Sequence, residues 1–292
     1  MHELSMVLDH VGVATHRLDA AQTTYERLGF TLTARSIHAG AVEPGGPVEP
    51  WGSGNHCAMF EQGYLELLGI VDPDLPSSAG AMLERYQGAH IVAFGCDNAA
   101  DAYSILTKRE PKTQPPAALE RDAPFGPNDE ETRRAKFQNI YLEPDVFPAA
   151  KLIFIEHQTV DVLWQPHLLE HPNTACQIAE VALCVEDVRR AADQLAELLG
   201  VDAETKGDGI AAIDVSRGRV YLLAPDVVPK WAKGVRPPAV PSVVGFGVGV
   251  RNLDTTKALL DAARVPYHQH PYPAIWLEPD HTLGPVLSFI QV

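Results

Sequence analysis

Apolar and polar positions along the chain repeat one layout four times. A short apolar strand is followed by a polar turn, then by a segment whose apolar residues recur every three or four positions, as in a helix with one buried face. In the first copy, LDHVGVATHRLDAAQTTYERLGF, the strand covers about Leu8 to Ala14. Leu18, Ala21, Tyr25 and Leu28 then fall on one helical face, and Gly29 stands where a C-terminal cap is needed. The second copy is AHIVAFGCDNAADAYSIL, with Asn98 placed as an N-cap. In the third, IAEVALCVEDVRRAADQLAELLG, Val188, Ala191, Leu195 and Leu198 keep the helical spacing and Gly200 repeats the cap. The fourth is VVGFGVGVRNLDTTKALLDAARV. After each helix come two or three strand-like runs separated by turn residues, closing in GYLELLGI, AKLIFIEH, GRVYLLAP and GPVLSFIQV.

One such unit leaves an apolar sheet face that a neighbour must cover, so four units predict two pairs and two domains. Residues 1–157 form the first pair, 158–174 a linker and 175–292 the second pair. The run HAGAVEPGGPVEPWGSGN reads as a long loop. Residues 108–147, rich in proline and charge, read as an insertion, either a lid or an elaborated surface loop.

Three polar residues break the apolar pattern. In the first strand Leu8, His10 and Gly12 are expected on one face and Val11 and Val13 on the other. In GYLELLGI, Tyr64, Glu66 and Leu68 share a face, and a carboxylate between apolar neighbours needs a partner or a metal. His90 opens the second unit where His10 opens the first. A lone strand histidine is more often a hydrogen-bonded core residue, yet recurrence at equivalent positions favours a site. Two imidazoles and a carboxylate from three strands suit a divalent transition metal with open positions for substrate. Aligning the third unit to the first places Glu180 at the His10 position, the fourth unit places Gly245 at that same position, and Tyr221 replaces Glu66 in the third closing strand. The second pair has lost the histidines while keeping the layout, which favours function over folding as their reason.

Composition narrows the partners. With 38 acidic residues against 23 basic ones the net charge is −15, a field that repels nucleic acid and anionic lipid. No apolar run approaches the roughly 18 residues of a spanning helix, and the start lacks the pattern of a signal peptide, so no membrane association and a cytoplasmic location are expected. The four cysteines, Cys57, Cys96, Cys176 and Cys184, form no C-x-x-C pair and read as small core residues.

The segments LDHVGVATHRLDAAQTTYERLGF and GSGNHCAMFEQGYLELLGI resemble the vicinal oxygen chelate (VOC) superfamily, and within it the glyoxalase-like domains. The resemblance is strongest over residues 6–71 and holds in layout beyond about residue 175. It implies an α+β fold of four βαβββ modules, each pair forming a half-open barrel, with a divalent ion (Fe, Mn, Ni, Co or Zn) held by the first and last strands. His10, Glu66 and His90 match ligand positions. At the fourth position the register offers Ile153, Ile155 or Glu156. Isoleucine would leave three ligands, and Glu156 would complete four as the weaker alternative. His157 reads as a strand-end or a second-layer residue. His56 is expected beside the metal as a substrate contact or acid–base group, or with Asn55 as a loop anchor. His171 reads as a hinge or cap, and His268 and His270 carry little weight.

The implied chemistry is a metal-dependent lyase or isomerase acting on a small hydroxy-carbonyl substrate through a metal-stabilised enolate, with His56 and Glu66 as catalytic groups. The rival readings are a non-haem Fe(II) dioxygenase and a protein that sequesters its ligand without turnover. A small molecule is the expected partner, with homodimerisation left open.

Overall fold

The computed structural model describes residues 5–41 and 48–292. The four repeats are four βαβββ modules in an α+β fold. The first comprises β1 (Val7–Thr15), α1 (Leu18–Arg27), β2 (Ser36–Ala41), β3 (Val48–Met59) and β4 (Tyr64–Ile70). A single helical turn, α2 (Gly80–Leu83), leads into β5 (Gly88–Gly95), α3 (Ala99–Arg109), β6 (Ala117–Phe125), β7 (Glu131–Tyr141) and β8 (Lys151–His157). Beyond the short α4 (Val160–Leu163) lie β9 (Ala175–Cys184), α5 (Val188–Leu199), β10 (Ala203–Gly207), β11 (Ile210–Asp214) and β12 (Arg219–Leu223). After α6 (Val228–Trp231) the last module is β13 (Ser242–Val250), α7 (Leu253–Ala262), β14 (His268–Gln269), β15 (Ala274–Leu277) and β16 (Val286–Gln291).

The helices form where apolar spacing and caps coincide. Leu18, Ala21, Tyr25 and Leu28 are all buried, as their spacing predicts. The Asn98 side chain accepts from Asp101 N, and Asp187 does the same for Arg190 N at the start of α5. Gly29 and Gly200 follow their helices at φ of 85° and 75°, the left-handed conformation that glycine adopts without strain.

The modules join into two eight-stranded sheets, ordered β2-β3-β4-β1-β5-β8-β7-β6 and β10-β11-β12-β9-β13-β16-β15-β14. Within a module the first and last strands pair in parallel, and the opening strands of paired modules meet antiparallel. The first sheet curls until its edge strands approach, where Arg121 Nη1 on β6 donates to Ser36 Oγ on β2 at 3.3 Å. Each concave face forms a cup whose closed end is filled by a short helix. Ala79 and Leu83 around α2 pack on Ala14, Ile91 and Ile153 in the first, and Val228 of α6 packs on Ala182 and Val244 in the second. The convex faces bury one continuous apolar cluster with the helices, drawing on both halves from Met6 to Phe289.

Two expected loops are strands. Much of the stretch 38–55 belongs to the β2–β3 ribbon, although its residues 42–47 lie outside the described residues. The stretch 108–147 is no insertion, because β6 and β7 are the regular middle strands of the second module. Ala118 to Glu120 of β6 and Glu131 to Arg134 of β7 are exposed at successive positions, so no apolar alternation marks these runs in the sequence. The segment 158–174 carries α4 and a turn of 3-10 helix at Pro166–Leu168, and it is pinned to the first module. Trp164 Nε1 donates to Phe60 O, and His171 accepts from Thr31 N while donating to Met59 O. All four cysteines are free thiols.

Candidate functional site

The opening strand of every module contains a β-bulge at one recurring place, an extra residue without a partner on the neighbouring strand. The bulged residues are Asp9 on β1, His90 on β5, Ala179 on β9 and Val244 on β13. Each immediately precedes the residue that enters the cup, which is His10, Ile91, Glu180 and Gly245 respectively. The third and fourth modules thus align as the sequence predicts, but the second is displaced by one. Ile91, not His90, is the structural equivalent of His10. The bulge at Asp9 also returns Leu8 to the convex core, so His10 shares its face with Gly12 and Ala14 instead.

This offset separates the expected metal ligands. His90 stacks on Tyr86 with ring centres 3.9 Å apart and donates from Nε2 to Tyr86 O at 2.9 Å. Burial lowers its pKa to about 4, which keeps the ring neutral. His10 Nδ1 bonds to Asp9 Oδ1 at 2.8 Å. Glu66 Oε1 accepts from Asn55 Nδ2 at 2.7 Å. Glu156 faces away from the cup, where Oε2 accepts from Ala99 N at the start of α3, and Ile153 and Ile155 take the cup positions on β8. His56 also leaves the cup. It stands opposite Leu67 of the convex core, with Nδ1 on Thr33 O at 2.8 Å, while its neighbours Asn55 and Cys57 face Glu66. Among the described residues no group of three His, Cys, Asp or Glu side chains could hold a metal ion. The donor set that the resemblance implies therefore does not fit.

The first cup gathers other chemistry. Cys57, Glu66, Gly12, Ile91 and Lys151 are register neighbours across five adjacent strands. Glu66 and Lys151 are thus three strand spacings apart, about 14 Å along the curved sheet. Arg121 faces them from the far edge. Among the described residues none of these three charges forms an ion pair with another side chain. Lys151 Nζ lies over the Tyr141 ring at 5.2 Å, and Asn139 Nδ2 donates to Tyr141 Oη at 3.0 Å. The buried Asn139 Oδ1 has no partner. On β2, His38 Nδ1 bonds to Ser53 Oγ and Ser78 Oγ at 3.2 and 3.1 Å.

The charges of these groups act on one another. Burial pushes the Cys57 thiol up to about 12, with the Glu66 charge adding to the effect. Burial lowers the Lys151 ammonium against the pull of Glu66. For His38 burial lowers the pKa, Glu66 opposes this, and Arg121 and Lys151 reinforce it.

Toward the open end lies a buried cluster around Asp9. Its Oδ1 accepts from His10 and from His157 Nε2, the latter at 3.2 Å. Burial alone would raise this carboxyl, but the bonds and charge of the two histidines hold it well below the usual range. Tyr64 stacks on His10 with its hydroxyl 3.5 Å from Nε2. His157 is thus a buried partner of Asp9. Sequence pattern pointed to His10, Glu66 and His157 but missed Asp9, His38, Arg121 and Lys151. The acid hidden one residue before His10 was the available signal.

Residues 8–199 match the model of a family described as glyoxalase-like domain. The chain belongs to this family. A search of curated protein sequences returned no match. Among solved structures, this glyoxalase-like protein is similar to a hypothetical protein from Staphylococcus aureus, at TM-score 0.63 and 12% identity, covering 98% of this chain and 100% of that one. It is also similar to a variant of 4-hydroxymandelate synthase from Streptomyces coelicolor, at 0.58 and 13%, covering 99% and 93%. A Mn(II)-bound glyoxalase from Novosphingobium aromaticivorans aligns at 0.55 and 10%, covering 99% and 83%. Such low identities establish the shared VOC fold and nothing about substrate.

Proposed function

We propose that the first cup is a proton-transfer site of the lyase or isomerase type for a small hydroxy-carbonyl compound. The observation that carries this reading is Glu66, whose one hydrogen-bond partner among the described residues is the neutral Asn55, in a cup where Lys151 and Arg121 form no ion pair with a described residue. Opposite charges held apart in one concavity leave room for a ligand to lie between them. Superfamily members are often enzymes, and the fold neighbours include a glyoxalase and a synthase.

In this reading the Glu66 carboxylate removes the proton on the carbon next to the carbonyl, and Asn55 keeps the carboxylate aimed. Lys151 and Arg121 stabilise the negative charge that develops on oxygen. The buried thiol of Cys57, with its raised pKa, stays neutral and forms part of the wall.

Proton–deuterium exchange followed by NMR in deuterated water tests the reading, on a panel of small 2-hydroxy aldehydes and ketones. Wild-type protein is expected to catalyse exchange, and Glu66→Gln to slow it by about a hundredfold or more. Equal exchange by both proteins would refute the role of Glu66. Tight binding without exchange would instead favour the sequestering protein. The dioxygenase reading requires His10, His90 and Glu66 around one ion, and the offset at β5 gives it no support.

A further inference from the structure

The second cup lacks the histidines of the first, yet it retains an ionisable side chain at the corresponding place. Glu180 follows the bulge of β9 as His10 follows that of β1. Its side chain lies across the backbone of Gly247 on β13, where a Cβ would come within 2.6 Å of Glu180 Cγ. Any larger residue at position 247 would displace the carboxyl.

The usual counter-ion is engaged elsewhere. Arg219 is the register neighbour of Glu180, but its guanidinium holds both oxygens of Asp214, with Nη2 to Oδ2 at 3.0 Å, and Nη1 donates to Tyr221 Oη at 3.2 Å. Among the described residues the Glu180 carboxyl has no hydrogen-bond or ion-pair partner. Burial pushes it up to about 7, partly offset by the Arg219 charge.

Two tyrosines stand on the same side of the sheet. Tyr221 occupies the place that Glu66 takes in the first cup, as the neighbour of Ala182 where Glu66 neighbours Gly12. Tyr272 feels the Glu180 charge, although burial is the larger cause that raises its hydroxyl to about 12. The Tyr272 ring stacks on His270 at 4.8 Å and remains 45% exposed, a large aromatic at the rim with one face already supported. The titratable groups facing Glu180 are Arg219 and Tyr221 from β12 and His270 and Tyr272 from the β14–β15 turn. The neighbouring cup positions of β13 and β16 carry Gly247, Ser288 and Ile290.

We propose that the second cup binds a small organic cation, a protonated amine on a flat apolar body, with Glu180 as its counter-ion and Tyr221 and Tyr272 as its aromatic walls. A half-buried carboxyl that no described group bonds attracts a cation, and the Tyr272 face adds attraction to the same charge, whereas the Tyr221 ring already has Arg219 over it at 5.8 Å and serves as an apolar wall. A carboxylate ligand would meet Glu180 with like charge, and an alcohol could donate a hydrogen bond but would bring no opposite charge. The site is independent of Glu66 and of the chemistry in the first cup.

Isothermal titration calorimetry of the full chain at pH 8 tests this, with benzylamine as probe and benzyl alcohol and benzoate as controls. Benzylamine is expected to bind with one-to-one saturation, at least tenfold more tightly than either control. Glu180→Gln should weaken it tenfold or more, Tyr272→Leu should weaken it severalfold, and Glu66→Gln should leave it unchanged. At pH 6.5 binding should release protons, because the amine displaces the proton that Glu180 holds there. The proposal is overturned by no saturable binding, by equal affinity for benzyl alcohol, by wild-type affinity in Glu180→Gln, or by loss of binding in Glu66→Gln.

Discussion

At the residue scale the protein sorts its buried ionisable groups by whether they are satisfied. Asp9 has two imidazole partners and keeps its charge, whereas Glu180 has none and holds its proton more tightly. This difference has a consequence for stability. The folded-state pKa of Glu180, about 7, lies above the ordinary 4.5, so between those values the folded chain carries a proton that the unfolded chain has released. The Glu180 contribution is therefore fully present at low pH and is lost as pH rises through 7. Glu180→Gln is expected to remove this slope and to exceed the wild type in stability at pH 8 by about 1 to 3 kcal/mol. Urea denaturation at pH 5 and pH 8 measures it, and an unchanged difference between the two pH values would contradict it. A residue whose replacement stabilises the fold is one whose presence folding does not explain.

At the element scale the modules depend on close approaches that only glycine permits. Helix α1 starts against β4 at Gly69, where an added Cβ would lie 2.8 Å from Leu18 Cα and 2.9 Å from Leu18 N. Both are backbone atoms and cannot rotate away. Gly69→Ala should thus push the helix off the sheet and lower stability by about 1 to 3 kcal/mol, seen as a lower urea midpoint at unchanged slope. The bulges act on the same scale, since one extra residue decides which side chain enters the cup. The repeat in the sequence showed that His10 and His90 both open strands. It did not show that the second strand bulges at His90 itself, which leaves the histidine stacked on Tyr86 and puts Ile91 at the place of His10. The β6–β7 ribbon was missed for a related reason, because runs exposed at successive positions, such as 118–120 and 131–134, carry no period-two signal. Its inward residues, Arg121 among them, stayed outside the expected site.

At the scale of the whole molecule the two sheets share one large convex core, beside the smaller apolar clusters inside each cup. Backbone bonds also cross between them, from Leu8 N to Arg217 O and from Gln62 N to Cys176 O. The halves are expected to unfold in one transition, with far-UV circular dichroism and tryptophan fluorescence tracing the same urea curve. Two separated transitions would show that each half is stable alone. The sequence by itself determined the fourfold module, the helices with their caps, the pairing of modules and the anomaly of Glu66 in an apolar strand, because each is written in local periodicity and turn chemistry, while the cupped shape of each pair came from the family resemblance. Tertiary structure alone decided which polar groups meet. Lys151, Arg121 and Glu66 lie far apart in the chain and face one another only when the sheet curls, and the bulges that set each strand's phase follow from pairing with a distant partner.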